Sequence, residues 1–135
     1  MSLTEKLLAL DAKKYKEKQT GQLEIKRLSE LTGEPFIVKV QEVDADRLGE
    51  IQAMMFDKKG RQDLSQARKV SKLIVLEGIL EPDLKGESLQ KHFGAATPKE
   101  LADILFKGNE LTNIADKIAT LSGFTDEEEE EEQKN

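Results

Sequence analysis

The sequence predicts a mainly α-helical protein with a small N-terminal β-hairpin, which is an α+β fold. Apolar residues recur at helical spacing through most of the chain, and helix-capping residues precede several of these stretches. β-branched residues cluster at residues 36–43. The chain has 135 residues, of which 37% are hydrophobic, enough for one modest core. We therefore expect a single folded domain over residues 1–125.

Charge is distributed unevenly along the chain. The formal net charge is −6, yet residues 1–125 hold 20 acidic and 20 basic residues. Residues 126–132 are seven consecutive acids. Because such a run has no apolar side chain to bury, we expect residues 126–135 to be a disordered acidic tail, most simply a solubilising one.

The first helix is predicted over about residues 3–19. Ser2 and Glu5 have the spacing of a capping box, leucines follow, and Thr20-Gly21 is expected to end the helix.

A β-hairpin is predicted next, over about residues 22–43. Residues 23–28 alternate between apolar and polar, residues 36–43 are rich in β-branched side chains, and residues 31–35 read as a turn. A lone hairpin is marginal in water, so one face should pack on helices.

A helix is predicted over about residues 44–57. Asp44 is its expected cap, and Val43 and Leu48 have the spacing of a hydrophobic staple.

The predicted core helix covers about residues 64–80 and stops before Pro82. Asp63 and Gln66 provide its capping box. The competing interpretation is a buried strand at residues 73–76, because this apolar run contains β-branched residues.

Shorter helices are predicted over about residues 88–93, 97–106 and 110–122. The second has a strong start signal, with Thr97 as N-cap, Pro98 at the first helical position and Glu100 reaching back to the cap amide.

The last helix should end at Gly123 in the left-handed conformation, which would let Phe124 fold back onto Ile118.

No catalytic, cofactor-binding or metal-binding residues are predicted. His92 is the only histidine and is interpreted as a partly exposed helix-end residue, since metal and catalytic sites need several converging groups. Asp44, Asp46 and Glu50 invite a metal hypothesis, but capping and solvation explain them. Phosphate-binding loops and serine elbows are absent from the sequence, so we expect a protein that is not an enzyme.

The basic residues form two clusters, at residues 13–18 and 58–61. They are best explained as solvated helix ends, because nucleic-acid binding requires a net basic face. The sequence has no cysteine, which fits a reducing compartment. It contains no apolar run of the roughly 20 residues that span a membrane. We therefore predict no nucleic-acid partner and no membrane association.

Apolar side chains of the C-terminal helices are the candidate partner-binding residues. Aromatic residues at the ends of short helices either close the core or remain exposed as a patch for an apolar helical partner. The candidates are Phe93, Leu101, Leu105, Phe106 and Phe124.

Several short motifs, in their order and spacing, resemble the XkdN-like phage tail assembly chaperones. The resemblance covers about residues 2–124, and it departs from the family pattern at the turn of residues 106–109. The motifs are Glu24-Ile25-Lys26-Arg27-Leu28, Gly33-Glu34-Pro35-Phe36, Val75-Leu76-Glu77-Gly78, Glu81-Pro82-Asp83-Leu84, His92-Phe93-Gly94-Ala95, Thr97-Pro98-Lys99-Glu100-Leu101 and Leu121-Ser122-Gly123-Phe124.

This resemblance implies a non-enzymatic protein without cofactors that coats the tape measure protein and helps to recruit tail tube subunits. It also implies a location in the bacterial host cytoplasm and absence from the mature virion; self-association is possible. The alternative is a small regulatory or nucleic-acid-associated protein with an autoinhibitory acidic tail.

Overall fold

The structure of the protein is a computed structural model that describes residues 1–124. The acidic tail predicted at residues 126–135 lies outside the described residues. Within them, eight α-helices accompany a three-stranded sheet. In chain order the elements are α1 (Leu3–Leu8), α2 (Ala12–Lys16), β1 (Thr20–Glu24), α3 (Lys26–Thr32), β2 (Ile37–Gln41), α4 (Ala45–Gln52), α5 (Ala67–Gly78), β3 (Ile79–Glu81), α6 (Glu87–Phe93), α7 (Pro98–Leu105) and α8 (Glu110–Leu121).

The N-terminal region is two short helices, so the prediction of one helix over residues 3–19 is wrong. The break follows from Asp11, whose side chain accepts hydrogen bonds from the amides of Lys13 at 3.0 Å and Lys14 at 3.3 Å. These bonds cap a new helix. The predicted cap of α1 is present, because the Ser2 hydroxyl accepts from the Glu5 amide at 3.1 Å.

The sheet has the order β1-β2-β3, and both strand pairs are antiparallel. β2 lies within the predicted hairpin of residues 22–43, whereas β1 begins two residues before it, at Thr20; Leu23 lies opposite Val38. The connection of the two strands differs from the prediction, since α3 occupies residues predicted as strand and turn. Ile25 and Leu28 are three residues apart, a spacing that places both side chains on one face of a helix but on opposite faces of a strand.

The helix predicted over residues 44–57 is present but shorter than predicted. α4 ends at Gln52 and continues as a 3₁₀ turn over Ala53–Met55, short of the predicted residue 57. Val43 and Leu48 are buried, as the predicted staple requires. Asp44 occupies the N-cap position, but its side chain accepts no capping hydrogen bond.

The core helix α5 confirms the helical interpretation of residues 73–76, and the strand alternative is wrong. A 3₁₀ turn over Leu64–Gln66 precedes it, and residues 79–81 form β3 instead of extending the helix to residue 80.

The three C-terminal helices agree with their predicted bounds to within one residue. Thr97 caps α7 through a 3.1 Å hydrogen bond from the Glu100 amide. The Glu100 carboxylate accepts from the amide of Ala96 at 2.8 Å, one residue before the expected cap amide. Gly123 has φ = 84° and ends α8 in the left-handed conformation, as predicted.

The core lies between the sheet and the helices α5, α7 and α8, where Val38, Val40, Leu111 and Ile118 are fully buried. Its tightest approach is at Gly78, where an added Cβ would lie 2.7 Å from Ile118 Cγ2. The same Cβ would lie 2.9 Å from the backbone oxygen of Gln41. The glycine therefore lets α5, α8 and β2 meet closely.

Candidate partner-binding surfaces

The structure separates the five predicted partner-binding residues into an interior group and an exposed group. Leu101 and Phe106 have 0% exposure and belong to the core, and Leu105 packs against that core. Phe93 is 42% exposed at the end of α6, and Phe124 is 43% exposed after α8. The five residues therefore do not form one continuous surface.

Ion pairs fix the helices that bury the interior group. Arg27 of α3 donates from Nε and Nη2 to the two carboxylate oxygens of Glu110, at 3.0 and 2.8 Å. Its Nη2 also donates to the Leu105 carbonyl at 2.8 Å. The hydrogen bond from Arg27, reinforced by the Lys107 amide, lowers the pKa of Glu110. The start of α8 is thus tied to α3.

A second cluster ties α5 to α7. Asp103 accepts from Lys72 Nζ at 2.8 Å and from Arg68 Nε at 3.1 Å. The hydrogen bond from Lys72, more than that from Arg68, lowers the pKa of Asp103. Arg68 also donates to the Phe106 carbonyl at 3.2 Å, which holds the end of α7 against α5.

The N-terminal arm, defined as residues 1–18, exposes an unusual amount of apolar surface for a folded segment. Neither α1 nor α2 has a buried residue. Leu3 is 78% exposed, Leu8 79% and Tyr15 75%. Leu7, Leu10 and Tyr15 line a shallow cavity of about 340 Å³ within the arm itself. An exposed apolar surface of this kind is a candidate interaction site.

The α5–α8 groove is a second apolar surface, with a volume of about 400 Å³. Its apolar lining comes from three parts of the chain. Val70 and Ile74 come from α5, Ala115 and Ala119 from α8, and Met55 and Phe56 from the segment after α4. Gln52, Gln62, Ser71 and Asp116 supply the polar part of the lining.

Neither of these two surfaces was predicted from the sequence. The leucines of the arm were noticed, but they were assigned to one continuous helix. Asp11 was the missed signal, since an N-cap residue inside the predicted helix indicates a break. The groove combines segments distant in sequence, and no local pattern indicates it.

The residues considered for chemistry are solvated. His92 is exposed, as predicted, with its ring 5.0 Å from that of Phe93 in an edge-on contact. Residues 1–124 contain no group of three or more His, Cys, Asp or Glu side chains arranged to hold a metal ion. In the same residues, no helix is long and apolar enough to cross a membrane.

The fold and these surfaces define a small α+β protein whose prominent features are exposed apolar surfaces. Its fold is similar to that in the crystal structure of the protein yqbn, with a TM-score of 0.55 and 20% sequence identity. The similarity covers 79% of this chain and 88% of that one. No protein of curated function matches the sequence.

The sequence identifies the family to which the chain belongs. Residues 4–134 match the phage XkdN-like tail assembly chaperone protein family. The chain belongs to this family, which gives it a role in phage tail assembly. The resemblance in the sequence motifs is therefore confirmed, and the regulatory or nucleic-acid alternative gains no support.

Proposed function

We propose that this protein is a non-enzymatic chaperone that coats the tape measure protein and helps to recruit tail tube subunits. Family membership supports a role in phage tail assembly. The exposed aromatic residues Phe93 and Phe124 are the observation on which the proposed binding site rests. In this proposal they contact apolar positions of a helical partner, while the buried Leu101 and Phe106 support the helices from inside.

The physical basis is the protection of apolar surface. A long amphipathic helix that waits for its tube exposes an apolar stripe and aggregates through it. Many copies of a small protein can cover that stripe by the helix-in-groove mode of recognition. Each copy brings seven consecutive acids at residues 126–132, so coated partners would repel one another.

The proposed site of action is the cytoplasm of the bacterial host. A chaperone that occupies the tape measure surface has to leave when tube subunits take that surface, so the protein is expected to be absent from the mature virion. This exchange requires moderate affinity for each copy, which a few partly exposed side chains provide.

The test is co-expression with the tape measure protein of the same phage, followed by copurification. Wild-type chain should keep the partner soluble, whereas a Phe93→Gln, Phe124→Gln double variant should lose the partner to the insoluble fraction. Glutamine is chosen because a carboxylate at the end of α6 would oppose the helix dipole.

The matched control is Leu31→Gln, which changes another exposed apolar residue, 72% exposed in α3. It should copurify like wild type. If the double variant keeps its fold and its partner, the tape measure protein binds elsewhere and this part of the proposal is wrong.

A further inference from the structure

We propose that strand β1 binds an extended segment of the tail tube subunit, which adds a strand at the edge of the three-stranded sheet. This inference rests on the proposed function, because it assigns a binding site to the second of the two proposed partners. Three observations support it: the backbone groups at the free edge of β1, the protection of the opposite edge of the sheet, and the side chains of α8 beside β1.

The hydrogen bonds that flank β1 define which of its residues face β2. Within the described residues, β1 pairs with β2 alone. Just after β1, the Ile25 amide donates to the Phe36 carbonyl at 2.9 Å. Just before it, the Glu42 amide donates to the Gln19 carbonyl, also at 2.9 Å. In an antiparallel pair, residues that exchange hydrogen bonds alternate with residues whose backbone groups point the other way.

Thr20, Gln22 and Glu24 are therefore the residues whose backbone N–H and C=O groups point away from β2. Among residues 1–124, no backbone hydrogen bond joins these three residues to another element. All three are exposed. The free edge thus offers a row of donors and acceptors that an extended chain can pair with.

The opposite edge of the sheet is protected. β3 has only three residues, and its register with β2 shifts between Lys39 and Val40. Lys39 and Glu81 form an ion pair of 3.3 Å, and Pro82 follows the strand. Short strands, irregular pairing, charges and proline are the usual means of preventing strand addition. β1 has five residues in regular register and contains neither lysine nor proline, so its edge lacks this protection.

Side chains of α8 beside the edge define the chemistry of the partner. A Cβ added to Gly21 would lie 3.0 Å from Lys117 Cε and 3.1 Å from Leu121 Cδ1, so both side chains pack against β1. Asn113, one turn before Lys117, lines a cavity of about 310 Å³ together with Leu23. Lys117 forms no ion pair within residues 1–124. A segment with an apolar residue towards Leu121 and a carboxylate towards Lys117 matches this row of side chains.

The backbone at this edge selects an extended partner. The N–H and C=O groups of a helix are already paired within the helix, so a helical tape measure protein cannot satisfy a sheet edge. An extended segment can, since it adds main-chain hydrogen bonds to the strand. Of the two partners in the proposed function, the edge of β1 is therefore assigned to the tail tube subunit.

The experiment adds the purified tail tube subunit of the same phage to the isotope-labelled full chain and follows amide hydrogen exchange residue by residue. Binding should slow exchange at Thr20, Gln22 and Glu24 by about tenfold or more, because their amides become hydrogen-bonded. The amides of Gly21 and Leu23 face β2 in the free protein and should change less.

A proline variant tests the edge directly. Gln22→Pro removes the N–H group at the middle of the free edge but leaves the hydrogen bonds to β2 in place, since proline is tolerated where the amide faces solvent. It should weaken binding of the tube subunit about tenfold. The matched control, Gln22→Thr, keeps the amide and suits a strand, so it should bind like wild type. If circular dichroism shows that Gln22→Pro misfolds, the exchange measurement on wild type decides alone.

A charge variant tests the assigned carboxylate of the partner. Lys117→Glu should weaken binding of the tube subunit, and the loss should be larger at low salt than at high salt. Lys69→Glu makes the same charge change at an exposed residue in the first turn of α5, where a carboxylate favours the helix. This control should bind like wild type.

The outcomes separate this inference from the proposed function. Gln22→Pro should still copurify with the tape measure protein, and the Phe93→Gln, Phe124→Gln double variant should still bind the tube subunit. If the tube subunit binds wild type without slowing exchange at residues 20, 22 and 24, or binds a folded Gln22→Pro as tightly, the inference is overturned and the proposed recruitment stands. If the tube subunit does not bind wild type, the recruitment itself is wrong and the inference fails with it.

Discussion

Helices α1 and α7 begin in the same way, but only α7 contributes residues to the core. Each has a hydroxyl cap three residues before a glutamate, and the cap bond is 3.1 Å long in both, from Glu5 to Ser2 and from Glu100 to Thr97. Yet α1 has no buried residue, whereas α7 buries Leu101 and Ala102 completely. Local sequence starts a helix, and only the elements that pack against it decide whether it joins the core.

The difference lies in what the rest of the chain offers to each helix. α7 carries Asp103, which meets the basic side chains Arg68 and Lys72 of α5. It also leads into Phe106, which fills the core. The leucines of α1 remain exposed in the described structure. Truncating apolar side chains in the two regions should therefore lower the free energy of unfolding by unequal amounts.

The largest effect is expected for truncation of Phe106. Phe106→Ala should lower the free energy of unfolding by about 3 to 5 kcal/mol, because it leaves a cavity in a fully buried position. Leu7→Ala, at a residue that is 65% exposed, should change it by less than about 0.5 kcal/mol. Urea unfolding followed by circular dichroism, at a concentration where the protein is monomeric, measures both. Equal losses would show that the arm belongs to the core.

A smaller effect is expected at the ion pair that holds α8. Glu110→Gln should cost about 1 to 2 kcal/mol at neutral pH, because a partly buried charged hydrogen bond is lost. The folded protein lowers the pKa of Glu110. Its contribution to stability is therefore present above the unfolded pKa of the carboxyl group and is lost as pH falls through the folded pKa.

Wild type and Glu110→Gln should accordingly converge in stability as the solution is acidified. Glu30→Gln, a change at an exposed residue of α3, serves as the control and should leave the pH profile unchanged. A constant difference between wild type and Glu110→Gln down to strong acid would contradict the assigned role of the charge.

The smallest change in stability is expected when the matched N-caps of α1 and α7 are removed. Thr97→Ala should cost about 1 kcal/mol of global stability, the usual value of an N-cap. Ser2→Ala removes the same hydrogen bond but should change only the local opening of α1. Amide hydrogen exchange at residues 5–8 should accelerate, while the unfolding midpoint stays constant. If Ser2→Ala also lowered the midpoint, α1 would be coupled to the core.

The sequence predicted elements well where their signals are local. α6, α7 and α8 begin and end near the predicted residues, because a cap or a left-handed glycine such as Gly94 or Gly123 defines their ends. The first helix was misjudged because Leu3, Leu7 and Leu10 suggested continuity across the cap at Asp11. The hairpin was misjudged because the alternation at Leu23 and Ile25 was extended through Leu28, whose spacing of three residues from Ile25 fits a helix.

The candidate site was harder to predict, because apolar spacing does not distinguish core from surface. Phe106 and Phe93 occupy similar places, after and at the end of short helices, yet their exposures are 0% and 42%. Only the position of α5 and α8 against α7 separates them. One domain over residues 1–125, and partner binding by the exposed aromatics, stay predictions.

The segment Glu42–Val43 is hydrogen-bonded to residues near both ends of the folded part that follows the arm. The Glu42 amide donates to the Gln19 carbonyl at 2.9 Å. The Val43 amide donates to the Ser122 hydroxyl at 2.9 Å. Residues 19 and 122 therefore both lie next to this segment, and chain ends that are near one another favour circular permutation. Joining these ends and reopening the chain at the exposed turn of residues 57–60 would keep the core contacts and turn the arm from a free end into a tethered loop.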